Sequence, residues 1–242
     1  MVKLDSMLNF NKMRKDLNHK SDDIKTVIKK VPENNPNKPS DVHSYFHDLE
    51  KKVLVLIEES TYVIGCVAWL TNDSILDALA KKKGVKIVVN KEEYLRPDTR
   101  VGKRDFYRKL RMKYNELDDL FKTDCVSCSK PFISCEHFVK IFPNIKTEDL
   151  IGRDGAVLSC GIVNNFSKMH HKFLLFFGEN FEPKGVWTGS FNLSNNSNYC
   201  LENALYVTNP IVFKEYLLEF EIIYSFSECY KWESGLLCKM IE

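Results

Sequence analysis

His170-His171-Lys172-Phe173-Leu174-Leu175-Phe176-Phe177 sets two imidazoles and an ammonium directly ahead of five consecutive apolar residues. An apolar run of this length reads as a buried central strand. Residues two apart in an extended chain face the same way, so His170 and Lys172 share a face and His171 points oppositely. A second run, Gly185-Val186-Trp187-Thr188-Gly189, leads into Ser190-Phe191-Asn192. There Ser190 and Asn192 stand in the same two-residue relation, and Gly189 permits a close backbone approach. Four polar groups thus gather at the edges of two central strands, where binding and reacting groups commonly sit.

Outward from this pair, the apolar runs at 62–70, 85–89, 156–163 and 204–207 read as further strands. Thr71-Asn72-Asp73 offers caps for a helix through Ile75, Leu76, Ala78 and Leu79, which Gly84 ends. Ser40-Asp41 offers another cap, ahead of an apolar stripe at Val42, Tyr45, Phe46, Leu49, Val53, Leu54, Leu56 and Ile57. After Asn209-Pro210, the positions Phe213, Tyr216, Leu217, Phe220, Ile223 and Tyr224 follow the i, i+3, i+4, i+7 pattern of a helix lying on a sheet. The expectation is an α/β domain over 40–242, with a mixed, mostly parallel sheet flanked by helices. Residues 1–39, polar and ending in a proline-bearing stretch, read as a flexible arm. Residues 91–150 break the strand rhythm and read as an inserted module, basic first and then cysteine-rich.

The 242 residues, 44% of them hydrophobic, suffice for one substantial core. No run approaches the roughly 20 apolar residues of a membrane-spanning helix, and the N-terminus lacks a signal peptide's apolar block. An intracellular protein, cytoplasmic or nuclear, is expected. Eight cysteines in a chain of this size, without a secretory signal, read as reduced thiols rather than a disulfide framework.

A net charge of +2 says little about partners, but its distribution says more. Arg96, Arg100, Lys103, Arg104, Arg108, Lys109, Arg111 and Lys113 are opposed only by Asp98 and Asp105. The first four precede a helix, and Phe106, Tyr107 and Tyr114 offer aromatic surface for bases if exposed. Nucleic-acid contact through Arg96, Arg100, Lys103, Arg104 and Arg108 is the expectation. Cys125, Cys128, Cys135 and His137 offer three thiolates and an imidazole within a short segment, the donor set of a structural zinc site.

Taken together, Met169-His170-His171-Lys172-Phe173 and Gly189-Ser190-Phe191-Asn192 resemble the HxK and GSxN signatures of the phospholipase D superfamily. Glu202-Asn203, the strand after it, Asn209-Pro210 and the last helix are similar to that family's ending, and residues 43–90 to its opening. The resemblance implies a metal-independent phosphodiesterase, with His170 as nucleophile and Lys172, Asn192 and Ser190 stabilising charge on phosphate oxygens. It assigns Glu202 to holding the His170 ring. Because HxK occurs once, it implies a homodimer whose two histidines flank one phosphorus. An endonuclease on single-stranded or structured nucleic acid follows; a lipid hydrolase, or a nucleic-acid-binding homologue without turnover, are the alternatives. The chain departs from the family pattern in one place. Phe177 stands where the family has an acidic residue or Asn, with Glu179 and Asn180 nearby.

Overall fold

The computed structural model describes residues 41–125, 128–163 and 168–231, so the arm expected over 1–39 lies outside them. In chain order the elements are β1 (Val42–Tyr45), α1 (Leu49–Glu58), β2 (Tyr62–Val67), α2 (Asp73–Leu79) and β3 (Gly84–Asn90). Then come α3 (Asp105–Asn115), α4 (Glu136–Ile141), β4 (Val157–Cys160), β5 (Lys172–Phe177), β6 (Pro183–Gly189), β7 (Ala204–Val207), α5 (Pro210–Ser225) and β8 (Glu228–Cys229). The strands form one sheet in the order β1-β7-β6-β5-β2-β3-β4-β8.

Alternation along the central strands builds two apolar layers. Val63 and Val67 of β2 and Leu174 and Phe176 of β5 face the layer that holds α1, α2 and α3. Tyr62, Ile64 and Cys66, with Phe173, Leu175 and Phe177, face the layer that holds α5 and the cysteine-bearing segment. A helix-covered sheet of this kind matches the expected class. Its strand directions do not. Only β2 with β3 and β3 with β4 run parallel, while β5 pairs antiparallel with both β2 and β6, and β6 antiparallel with β7. The crossovers through α2 and through the insertion keep β2, β3 and β4 parallel. The short link from β5 to β6, residues 178–182, leaves room only for antiparallel return, and β7 pairs antiparallel with β6 after a longer loop.

Two further expectations give way to tertiary pairing. Residues Val42–Tyr45 are a strand, not the start of a helix, with Val42 opposite Val207 and Tyr45 opposite Ala204. They cover the edge of β7, and Asp48, at φ 50°, turns the chain left-handed, so α1 begins only at Leu49. The apolar run to 163 yields a strand only as far as Cys160. Elsewhere local signals hold. The Asn72 side chain accepts from Ile75 N at 3.0 Å to cap α2, and Asn209 Oδ1 accepts from Ile211 N and Val212 N to cap α5.

The insertion is anchored through a buried cation. Lys86 Nζ, 1% exposed, donates to Asp119 Oδ1 at 2.9 Å, to Arg153 O at 3.2 Å and to Gly155 O at 2.9 Å. The Asp119 carboxylate also accepts from Phe121 N and Gly155 N, which ties the segment after α3 to β3.

Candidate active site

Four strand ends and one loop meet at one end of the sheet. The β2–β5 ladder continues past the strands, with Ala68 N donating to His171 O at 2.8 Å, and fixes where the chain enters β5. The loop after β6 is stapled to the end of β2 by Thr71 N and Asn72 N, both donating to Leu193 O. Gly189, at φ 152°, lies so close to β7 that a Cβ would sit 2.3 Å from Asn203 O. The glycine therefore allows Ser190 to reach the Glu202–Asn203 segment.

The cleft so formed, about 540 Å³, is lined by His170, Lys172, Ser190, Asn192 and Glu202 among others. All five residues singled out from the sequence thus come together. The face assignment also holds. The His170 ring meets the Trp69 indole at 5.4 Å between centroids, and Lys172 Nζ lies 5.8 Å from the same indole. His171 turns to the other face, where Nε2 is 3.1 Å from Glu219 Oε1 of α5. Lys172 Nζ donates to His170 O at 2.7 Å, which folds the ammonium back over the start of the strand.

Burial, and then the charges of Lys172, Lys168 and His171, push the His170 imidazole below its ordinary value, which favours the neutral ring. Burial likewise lowers Lys172, against the opposing pull of Glu202. The Glu202 carboxylate accepts a hydrogen bond from Ser190 Oγ, so among the described hydrogen bonds its partner is the serine and not the His170 ring. Ser190 Oγ in turn accepts from Asn203 N at 3.0 Å. Asn192 Oδ1 is buried without a hydrogen-bond partner. An acceptor left so is costly unless a ligand or water meets it.

Sequence reasoning missed the residues that hold the loop carrying His170. Glu92 Oε1 accepts from Trp69 Nε1 at 3.3 Å and from Asn90 Nδ2 at 2.6 Å, while Asn90 Oδ1 accepts from Met169 N at 3.1 Å. Asn90 is 2% exposed, and its only signal was its place as the first polar residue after Ile87-Val88-Val89. Position 177 proves remote. Phe177 lies on the opposite face from Lys172, packed 5.2 Å from the Phe213 ring, and Glu179 pairs with Lys83 at the far end of β5. Neither reaches the cleft.

The basic block divides into two groups. Arg96 pairs with Asp98, Arg108 and Lys109 with Asp105, and Lys113 with Asp73 and Asp77. Arg111 donates to Tyr94 O and Gly102 O and so shapes the loop before α3. Arg100, Lys103 and Arg104 are exposed and make no ion pair among the described residues. Tyr114, offered as aromatic surface, is instead core: 2% exposed, it donates to Leu70 O at 2.6 Å.

Donor atoms of Cys125, Cys128, Cys135 and His137 all lie within 4.8 Å of one another, with Cys125 Sγ 3.5 Å from His137 Nδ1. A tetrahedral zinc with its usual bond lengths spaces sulfur ligands about 3.8 Å apart, so the four fit that ion. A turn built on Cys125 N to Lys130 O and Ser129 N to Cys125 O presents them, over an aromatic bed of Phe121, Phe132, Phe138 and Phe142. Among the described residues, no helix is long and apolar enough to cross a membrane.

No protein-family model matches the chain. An uncharacterised protein, L381, of Acanthamoeba polyphaga mimivirus is 51% identical over 196 residues, covering 81% of this chain and 69% of that one. Among solved structures, NucT from Helicobacter pylori superposes with a TM-score of 0.45 at 10% identity, covering 78% of this chain and 98% of that one. The phospholipase D family member Nuc from Salmonella typhimurium gives 0.44 at 16% identity, covering 81% of this chain and all of that one. Superpositions this loose do not by themselves assign a function.

Proposed function

The chain belongs to the family of the mimivirus protein L381, and we propose that it is a metal-independent phosphodiesterase of phospholipase D type that cleaves nucleic acid within the strand. The observation that carries this reading is the convergence of His170 and Lys172 on one face of one cleft, with Ser190, Asn192 and Glu202 around them.

In this reading the neutral His170 imidazole attacks phosphorus, and the phosphorus–oxygen bond to the leaving strand breaks. The departing oxygen takes a proton from the partner subunit's His170, across a twofold axis. That second imidazole then removes a proton from water, whose oxygen displaces His170 from the phosphohistidine. Lys172 and Asn192 meet the non-bridging oxygens, and Ser190 adds a hydroxyl. Glu202 holds that hydroxyl and supports the charge on Lys172. Arg100, Lys103 and Arg104, the cations left exposed, supply sequence-independent contacts to phosphates. Arg96 and Arg108, already paired, contribute less than the sequence led us to expect.

Cys125, Cys128, Cys135 and His137 hold a structural zinc, which would fold the knob and take no part in hydrolysis.

The test is purified protein incubated with labelled single-stranded DNA, RNA and phosphatidyl lipids, in EDTA, beside His170→Ala. Cleavage of nucleic acid that survives EDTA and disappears in the variant supports the proposal. Turnover of lipid alone, or binding without turnover, overturns it. A monomer with full turnover removes the shared site.

A further inference from the structure

A second cleft, of about 530 Å³, adjoins the first, and Asn192 and Glu202 line both. Its lining is neither the wall of an acyl-chain tunnel nor a bare charged groove. Trp69, Tyr94, Phe106 and Tyr107 supply flat aromatic surface, and Asn195 and Asn196 supply amides. The aromatic residues are ordered. Tyr107 stacks on Tyr94 at 4.6 Å with 14° between planes, and Phe106 stands edge-on to Tyr107 at 5.1 Å. Phe106 is nonetheless 48% exposed on a helix that buries Leu110 and Tyr114 and leaves Met112 exposed as well.

Two of the residues lining this space carry a buried polar atom without a partner: the Tyr94 hydroxyl, on a residue only 9% exposed, and Asn192 Oδ1. Unmet polar atoms beside aromatic faces match the two recognition elements of a nucleobase, its π-face and its hydrogen-bonding edge. Trp69 couples this space to the reaction, since its indole touches both the cleft and the His170 ring. Arg100, Lys103 and Arg104 immediately precede Phe106 in the chain and are exposed.

We infer that this cleft is a subsite for an unpaired nucleobase next to the phosphodiester at His170. The base stacks on Phe106 and Tyr107, and its edge meets Tyr94 and Asn192. Bases in a duplex are stacked and paired, so the substrate presented here is a single strand or an unpaired loop. The inference deepens the phosphodiesterase proposal and rests on it for the position of the scissile phosphate.

The experiment measures equilibrium binding by fluorescence anisotropy, with His170→Ala protein to prevent turnover. Three labelled probes are used: a short single-stranded DNA, its duplex, and a baseless deoxyribose-phosphate strand of equal length. The single strand should bind about tenfold more tightly than either of the others, the size of effect one stacked base supplies. Adding Phe106→Ala should collapse that ratio to near one, and Phe106→Trp should restore it. Because Phe106 is half-exposed, loss of the fold is not the expected result, and thermal unfolding checks it. Equal binding of the baseless strand, no binding of any probe, or a preference that survives Phe106→Ala overturns the inference. The unmodified protein, assayed in parallel for cleavage, separates the two proposals. A base preference without any cleavage sinks the phosphodiesterase reading alone, and cleavage without a base preference sinks the subsite alone.

Discussion

The His170 and Trp69 rings stand nearly perpendicular, 84° between planes and 5.4 Å between centroids, so the imidazole is held against an apolar surface. Glu92 fixes the indole from behind through its Nε1–H. Three neighbouring groups that carry or can carry positive charge, Lys172, Lys168 and His171, add to burial in disfavouring the imidazolium.

His170 should therefore titrate below its ordinary 6.5 in an NMR measurement on the folded protein. Lys172→Gln removes a like charge and should move that value upward. In the proposed mechanism His170 attacks as the neutral imidazole, so the acid limb of the rate profile should rise as pH climbs through the depressed value. A His170 that titrates at 6.5 or above would mean that the ring is not held as described.

Glu202 opposes the burial that lowers Lys172, and it also takes the Ser190 hydroxyl. Glu202→Gln should let the Lys172 value fall further, read by NMR on the folded protein. Lys172→Ala, which removes a cation at developing charge, should cost about 10²-fold in kcat. A Lys172 value that stays in place in Glu202→Gln would disconnect the carboxylate from the ammonium.

Elemental analysis of protein prepared without chelator should find one zinc per chain. Replacing Cys135, 4% exposed, by Ser should release the metal and open the knob to protease, while the sheet keeps its circular dichroism. Stoichiometric zinc retained by a Cys125→Ser, Cys135→Ser double variant would place the ion elsewhere.

Asp119→Ala strands the Lys86 ammonium in a site where both side chains are nearly sealed, 1% and 8% exposed. Removing one partner of such a pair costs about 3–5 kcal/mol, readable in urea unfolding. Lys86→Met with Asp119→Asn removes both charges and should recover much of that loss. A cost under about 1 kcal/mol for Asp119→Ala would show that water reaches the ammonium.

Much of the architecture was legible in the chain because burial writes itself locally. The start of β5 at Lys172, the cap at Asn209 and the α5 stripe all follow from periods of two and 3.6 residues. The shared face of His170 and Lys172 follows from the same pleat. The role of Trp69 was hidden, since a tryptophan ending an apolar run looks like any core residue. So was the division of the cations, because Arg100 and Arg108 differ only in whether a carboxylate lies within reach.

The central strands, the helices after Asn72 and Asn209, and the polar groups that lead β5 and follow β6 could be read from the chain alone, for these depend on near neighbours. Long-range packing set the antiparallel course of β5 against β2, the closing of an edge by Val42–Tyr45 and the place of Trp69 between the His170 ring and the second cleft. Those outcomes rest on pairings such as Val67 with Lys172, distant in sequence, whose register is set by packing across the whole sheet rather than by any local pattern.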